Sequence, residues 1–180
     1  MGDNGWISTS MPYLKPRAAG EADAWSGEAA ARGRRGGQRI LHAGETPATA
    51  EVAALLGLAE GDLVVARRRL IDLDGEPCEL TDTYYPYGIA AGTPLARTAR
   101  IPGGAVTLLA SLGHVGVRAV EQVTALVPDP AERERLALDP GQPVLRITRV
   151  TYDAADRPIQ ADVMLMPAAR QQLRYEIRIG

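Results

Sequence analysis

The chain has 180 residues, which suits one domain, or one domain with a short extra arm. Its 46% hydrophobic and 23% charged residues are the balance of an ordinary water-soluble fold. A formal net charge of −2, with 4% aromatic residues and no phenylalanine, argues against nucleic-acid binding, because neither a positive field nor stacking platforms are supplied.

The single cysteine, Cys78, excludes an internal disulfide and a thiolate metal cluster, and the two histidines, His42 and His114, lack zinc-ligand spacing. No apolar run approaches the roughly 20 residues that span a bilayer. Residues 1–12 have neither the charged start nor the apolar stretch of a signal peptide. No glycine-rich nucleotide loop is present, so no cofactor is expected. The setting implied is a reducing cytoplasm, with no membrane partner.

Residues 1–20 are rich in Gly, Pro, Ser and Thr and are expected to form a loosely structured, flexible arm, with the domain proper over 21–180. Glu21 to Arg35 predicts an alanine-rich helix stopped by Gly36-Gly37. Gln38 to Glu45 predicts a strand. A second helix is expected from Thr46-Pro47, with Ala50, Val52, Ala53, Leu55 and Leu56 as its apolar face and Gly57 after it. Leu63 to Pro86 reads as a hairpin turning at Asp74-Gly75. Then come a short helix from Val106 to Leu112, a strand from Val115 to Val127 and a helix from Pro128 to Leu138. A second hairpin, Pro143 to Pro167, and a last strand, Leu173 to Ile179, complete the chain.

The two hairpin regions repeat one another. Leu56, Leu58, Gly61, Val64 and Arg69 recur as Leu136, Leu138, Gly141, Val144 and Arg149 at an offset of about 80; after one extra residue, Asp72, Pro77 and Pro86 recur as Asp153, Pro158 and Pro167. Two copies of so long a unit do not make a solenoid. The pattern predicts one α+β domain: an antiparallel sheet with flanking helices, built from two similar strand-helix-hairpin halves. A binding site is expected between the halves, because pockets favour such junctions.

The strings LGLAEGDLVVARRRLIDLDGEPCELTDTYYP, VTLLASLG and ALDPGQPVLRITRVTYDAADRPIQADVMLMP resemble the UTRA domain over roughly residues 20–180. That domain is the effector-binding part of GntR-type transcription regulators of the HutC branch and is similar in fold to chorismate lyase. The resemblance implies a sensor that binds a small-molecule metabolite, forms a homodimer and pairs with a full-length GntR-type regulator. Some 20 residues precede the first matching helix, too few for the winged helix-turn-helix that such regulators carry. An orphan sensor or a fragment is therefore expected, with no direct DNA binding of its own.

Arg67 and Arg69 alternate with Arg68 on a predicted strand, so their guanidinium forks share a face suited to a phosphate or carboxylate. Glu79 returns across the turn toward them. The resemblance implies that such an Arg-x-Arg pair holds a phosphate and such a glutamate a sugar. The alternative is a solvated strand face paired with Asp82. Ser26 falls where family members place a serine on the ligand's anionic group, and Thr107 lies near a helix N-terminus that attracts anions; either hydroxyl could instead cap its helix. Arg118 is expected to add a third positive charge. In the second half Gln160 replaces Glu79, and Met164 and Met166 are expected as pocket wall or core; this departs from a sugar-phosphate pattern. The ligand expected is anionic. Two alternatives remain from sequence: a stand-alone enzyme of the chorismate lyase type, and DNA binding through Arg32, Arg34, Arg35 and Arg39.

Overall fold

A computed structural model describes residues 6–18 and 21–177. The chain order is β1 (Trp6–Ser8), α1 (Met11–Leu14), α2 (Ala24–Ala31), β2 (Gly36–Pro47), α3 (Ala50–Leu56), β3 (Leu63–Leu73), β4 (Glu76–Pro86), α4 (Tyr87–Ala90), α5 (Ala105–Ser111), β5 (Arg118–Leu126), α6 (Pro130–Arg135), β6 (Val144–Tyr152), β7 (Pro158–Pro167) and β8 (Gln171–Leu173). Strands β2 to β7 form one antiparallel sheet in the order β2-β3-β4-β7-β6-β5.

The repeat read from sequence is a pseudo-twofold of this sheet. Each half runs helix, strand, helix, hairpin: α2-β2-α3-β3-β4, then α5-β5-α6-β6-β7. The axis passes between β4 and β7, where Thr81 pairs with Met164 and Thr83 with Asp162. Both hairpins close as the turn residues demand, with Asp74 and Gly75 at positive φ in the first and Asp156 in the second.

Alternation along the strands sorts the core onto two faces. One face packs Val64, Val150 and Ala161 under α3, and Leu70, Leu80, Val144 and Leu165 under the end of α6 at Leu136. The other face is covered by α2, α4, α5 and the N-terminal segment. Buried polar residues gather on that second face: Arg67, Thr81, Thr83, Arg149, Gln160 and Asp162 are each at most 8% exposed.

Several boundaries differ from expectation. The helix over 21–35 ends at Ala31 instead, and Gly36 and Gly37 open β2. The reason is close approach: a Cβ on Gly36 would stand 2.7 Å from the Trp25 indole nitrogen, which donates to the Asp72 carbonyl at 3.0 Å. Thr46 and Pro47 end β2, and α3 begins only after Thr49, whose hydroxyl accepts from the Val52 amide. The last strand is three residues, Gln171–Leu173, followed by irregular chain to residue 177; residues 178–180 lie outside the described residues.

The segment expected as a flexible arm is folded where it is described. Trp6–Ser8 pairs in parallel with β8, Trp6 is 6% exposed, and its ring meets Trp25 edge-on at 5.0 Å. Arg32 stacks over the Trp6 ring at 3.9 Å and donates to the Ile7 carbonyl. Polar composition concealed one indole, and its burial overrides the segment's Gly, Ser and Pro content.

Candidate functional site

A cavity of about 150 Å³ lies on the second face of the sheet, and both halves line it. From the first half come Arg67, Arg69, Ile71, Glu79 and Tyr85; from the second come Arg149, Gln160, Asp162, Met164 and Met166. Its rim is closed by Tyr13, Lys15 and Arg17 of the N-terminal segment, by the start of α2 at Asp23–Trp25, and by residues 100–106 before and at the start of α5.

The two arginines expected as a pair have different occupations. Arg67 is 4% exposed and donates from Nη1 to the carbonyls of Pro94, Leu95 and Arg97, and from Nη2 to that of Ala99. It therefore holds the 94–99 turn in place. Arg69 donates only at 3.3 Å to the Thr83 hydroxyl. That hydroxyl donates in turn to Asp162 at 2.7 Å, and Gln160 donates to the other Asp162 oxygen at 2.8 Å. The network crosses the axis between the halves, and the low local polarity around it strengthens each bond.

Glu79 accepts from the Thr81 hydroxyl. Burial pushes its carboxyl above the usual range, against the pull of the Thr81 bond and of Arg69 and Arg149. Arg149, the repeat counterpart of Arg69, is 8% exposed and donates from Nε to Glu121 at 2.5 Å. Burial opposes ionisation of Glu121, but Arg149 and the Ser10 hydroxyl at 2.9 Å outweigh it and hold that carboxyl below its ordinary value.

Ser26, Thr107 and Arg118 are not brought to the cavity wall. The helix cap explains Ser26: the Asp23 carboxylate accepts from both the Ser26 amide and the Ser26 hydroxyl, each at 3.0 Å. Asp23 therefore fills the anion position at the α2 N-terminus. Burial disfavours its charge, yet these bonds and Arg100 at 2.6 Å keep its carboxyl below the usual range. The Thr107 hydroxyl donates to the Gly103 carbonyl at 2.8 Å and accepts from the Arg17 amide at 3.0 Å. Arg118 starts the edge strand β5, pairs with Asp156 and lies 4.0 Å over the Tyr152 ring. Its partner Tyr152 packs against the α3 cluster, on the sheet face away from the cavity, and Arg118 stays with it.

Sequence reasoning missed Arg149, Arg100, Asp23 and the rim residues Tyr13, Lys15 and Arg17. Arg149 had a usable signal: it is Arg69 carried across the repeat. The rim residues had none, because only the path of the N-terminal segment over the sheet brings them in.

In all, six cations (Lys15, Arg17, Arg67, Arg69, Arg100, Arg149) face three carboxylates (Asp23, Glu79, Asp162) around this cavity. Counting Glu21 and Glu121, which pair with Arg17 and Arg149 from outside the lining, six cations meet five carboxylates, still a positive excess in a chain whose net charge is −2. Two arginines of the run that follows α2 are engaged locally: Arg32 pairs with Glu28 at 2.7 Å and Arg34 with Asp74 at 2.6 Å. Among the described residues, no group of three His, Cys, Asp or Glu could hold a metal, and no helix is long and apolar enough to cross a membrane.

The family model of the UTRA domain matches residues 31–172. The chain belongs to the UTRA domain family. An HTH-type transcriptional regulator of Streptomyces coelicolor is 27% identical over 154 residues, 84% of this chain but 57% of the regulator. The chain thus spans little more than half the length of that relative. Among solved structures, the ligand-binding domain of a protein assigned as a GntR-family transcriptional regulator from Bordetella bronchiseptica is 28% identical. It aligns with a TM-score of 0.72 over 80% of this chain and 92% of that one. The effector domain of PhnF from Mycobacterium smegmatis shares the fold at 23% identity and a TM-score of 0.75, over 92% of this chain and 99% of that one. The UTRA chain described here is therefore an effector-binding domain with the α+β fold of GntR-family regulators. The matched relatives are named as transcription regulators, which favours the effector-binding reading over the lyase alternative.

Proposed function

We propose that this UTRA domain binds a small anionic metabolite between its two halves and reports its presence to a GntR-type transcription regulator. The observation that carries this reading is the cationic excess of a cavity to which both halves contribute. Arg69 would meet the anion, Glu79 and Gln160 the ligand's polar groups, and Met166 its apolar side. Arg67 acts as a positioning residue through the 94–99 turn. A binding site shared by two halves responds to a ligand by changing how the halves are held, which is the differential contact a sensor needs.

The test is a thermal-shift screen of the wild-type chain against anionic metabolites. A ligand at 100 times its Kd adds about 2.7 kcal/mol of stability. Arg69→Ala should abolish the shift; an undiminished shift would move the site elsewhere.

The same reading includes a homodimer in the cytoplasm. Support comes from β5, a sheet edge with no further strand paired to it among the described residues, which exposes Val120 at 48% and Val123 at 42%, with Val117 and Val127 beside it at 62% and 63%. An apolar edge of this kind invites strand pairing. Sedimentation equilibrium of wild type and Val123→Glu tests it: a dimer that the variant splits is expected, and a wild-type monomer at high concentration removes it. Co-purification with a full-length GntR-type regulator tests the pairing in the same way.

A further inference from the structure

We propose that the cavity takes a compact carboxylate with an apolar body, about one ring or six carbons in size, and not a phosphosugar. This rests on the reading of the cavity as the effector site.

Four observations point the same way. First, Arg67 is saturated by four backbone carbonyls, so β3 offers an anion one guanidinium fork, that of Arg69. One planar fork matches the two oxygens of a carboxylate; the three oxygens of a phosphate dianion would need further donors. The other lining arginines are engaged by carboxylates: Arg149 by Glu121, Arg100 by Asp23 and Arg17 by Glu21.

Second, the carboxylate best placed to greet sugar hydroxyls, Asp162, is already engaged by the protein on both oxygens. Asp162 takes Thr83 on one oxygen and Gln160 on the other, and the Gln160 amide nitrogen is directed there. Glu79 is the one carboxylate on the inner wall left for a ligand, and Thr81 already donates to it. A polyol entering this cavity would compete with these internal bonds for acceptors, and each hydroxyl left without a partner would carry a cost.

Third, the remaining wall is apolar: Trp25, Ile40, Ile71, Tyr85, Met164 and Met166 all line the cavity. Burial pushes the Tyr85 hydroxyl up, so this ring stays neutral. Fourth, the volume is about 150 Å³. An apolar cavity of about that size holds one benzene ring. The body therefore lies between Trp25 and the methionines, and the carboxylate turns toward Arg69. A hydroxyl or amine on the ring or chain would meet Glu79.

Isothermal titration of the wild-type chain with benzoate, hexanoate, butyrate and glucose 6-phosphate tests this. Benzoate and hexanoate are expected to bind at least tenfold more tightly than glucose 6-phosphate. Hexanoate should bind roughly tenfold more tightly than butyrate, since two more methylenes are buried. Arg69→Ala should abolish binding of both carboxylates. Glucose 6-phosphate binding as tightly as benzoate, or butyrate matching hexanoate, overturns the proposal. Arg69-dependent binding of glucose 6-phosphate would do so while leaving the effector-site reading intact. Binding of none of the four also overturns it, and the metabolite screen then decides the effector site separately.

Discussion

Arg67 and Arg69 project from one face of β3, two residues apart, yet Arg67 donates to four backbone carbonyls and Arg69 to a single hydroxyl. The first guanidinium is therefore part of the fold, and the second is available to a ligand. Arg67→Ala leaves buried carbonyls unpaired and should cost about 3 kcal/mol, a fall in Tm of roughly 6 to 12 °C. Arg69→Ala should leave Tm of the ligand-free protein nearly unchanged and remove the ligand response. Thermal melts of both variants with and without ligand check the division; equal losses of Tm would refute it.

Glu79 makes stability fall with pH. Its folded-state carboxyl titrates above the unfolded value because burial disfavours the charge. Between the unfolded glutamate pKa of about 4.3 and the higher folded value, the native state therefore binds more protons than the unfolded state. Stability attributable to this group is present below that window and lost as pH rises through it. Glu79→Gln is expected to be more stable than wild type at pH 7, with the difference closing near pH 4. Denaturant unfolding at both pH values measures it, and a gap that widens toward pH 4 has the wrong sign.

Trp6 holds the N-terminal segment against Trp25, Ile71 and Cys78. Trp6→Ala should cost about 3 kcal/mol, as expected for removing a buried aromatic side chain. The rim residues Tyr13, Lys15 and Arg17 would then lose their position over the cavity, so ligand affinity should fall as well. Unfolding and titration of the one variant test both effects; a loss below about 0.5 kcal/mol would return the segment to the status of a loose arm.

Asp23 caps α2 and pairs with Arg100 on the opposite side of the rim. Asp23→Ala removes the cap at a cost of about 1 kcal/mol and frees Arg100. If the cavity prefers anions, the added positive charge should tighten anion binding at low salt and less so at high salt. Calorimetry at two ionic strengths reads this, and weaker binding at both would show that the Asp23–Arg100 contact is needed to shape the rim.

The internal repeat made much of this legible beforehand. Period-2 alternation and the Asp74-Gly75 turn located both hairpins, and the offset of about 80 implied two halves with a site between them. Glu79, Gln160 and Met166 line the same cavity because strand parity, once set, determines which side chains share a face. Ser26 and Thr107 were misplaced because a hydroxyl in the first turn of a helix can face a ligand or bond a neighbour. Asp23 and the Gly103 carbonyl win that competition.

What the sequence by itself determined was the fold, the family and the face of β3 that carries Arg67 and Arg69. The fold and the face depend on local periodicity and on turn chemistry, which are written residue by residue, and the family rests on the resemblance of whole strings. Only the tertiary structure decided which arginine is free, because that depends on the carbonyls of residues 94–99 passing within hydrogen-bond reach of Arg67. It likewise decided that Trp6, fifteen residues before Glu21 where the first helix is expected, belongs to the core, and that Arg118 does not reach the cavity. Side-chain occupancy is a property of contacts distant in sequence, and no local pattern encodes it.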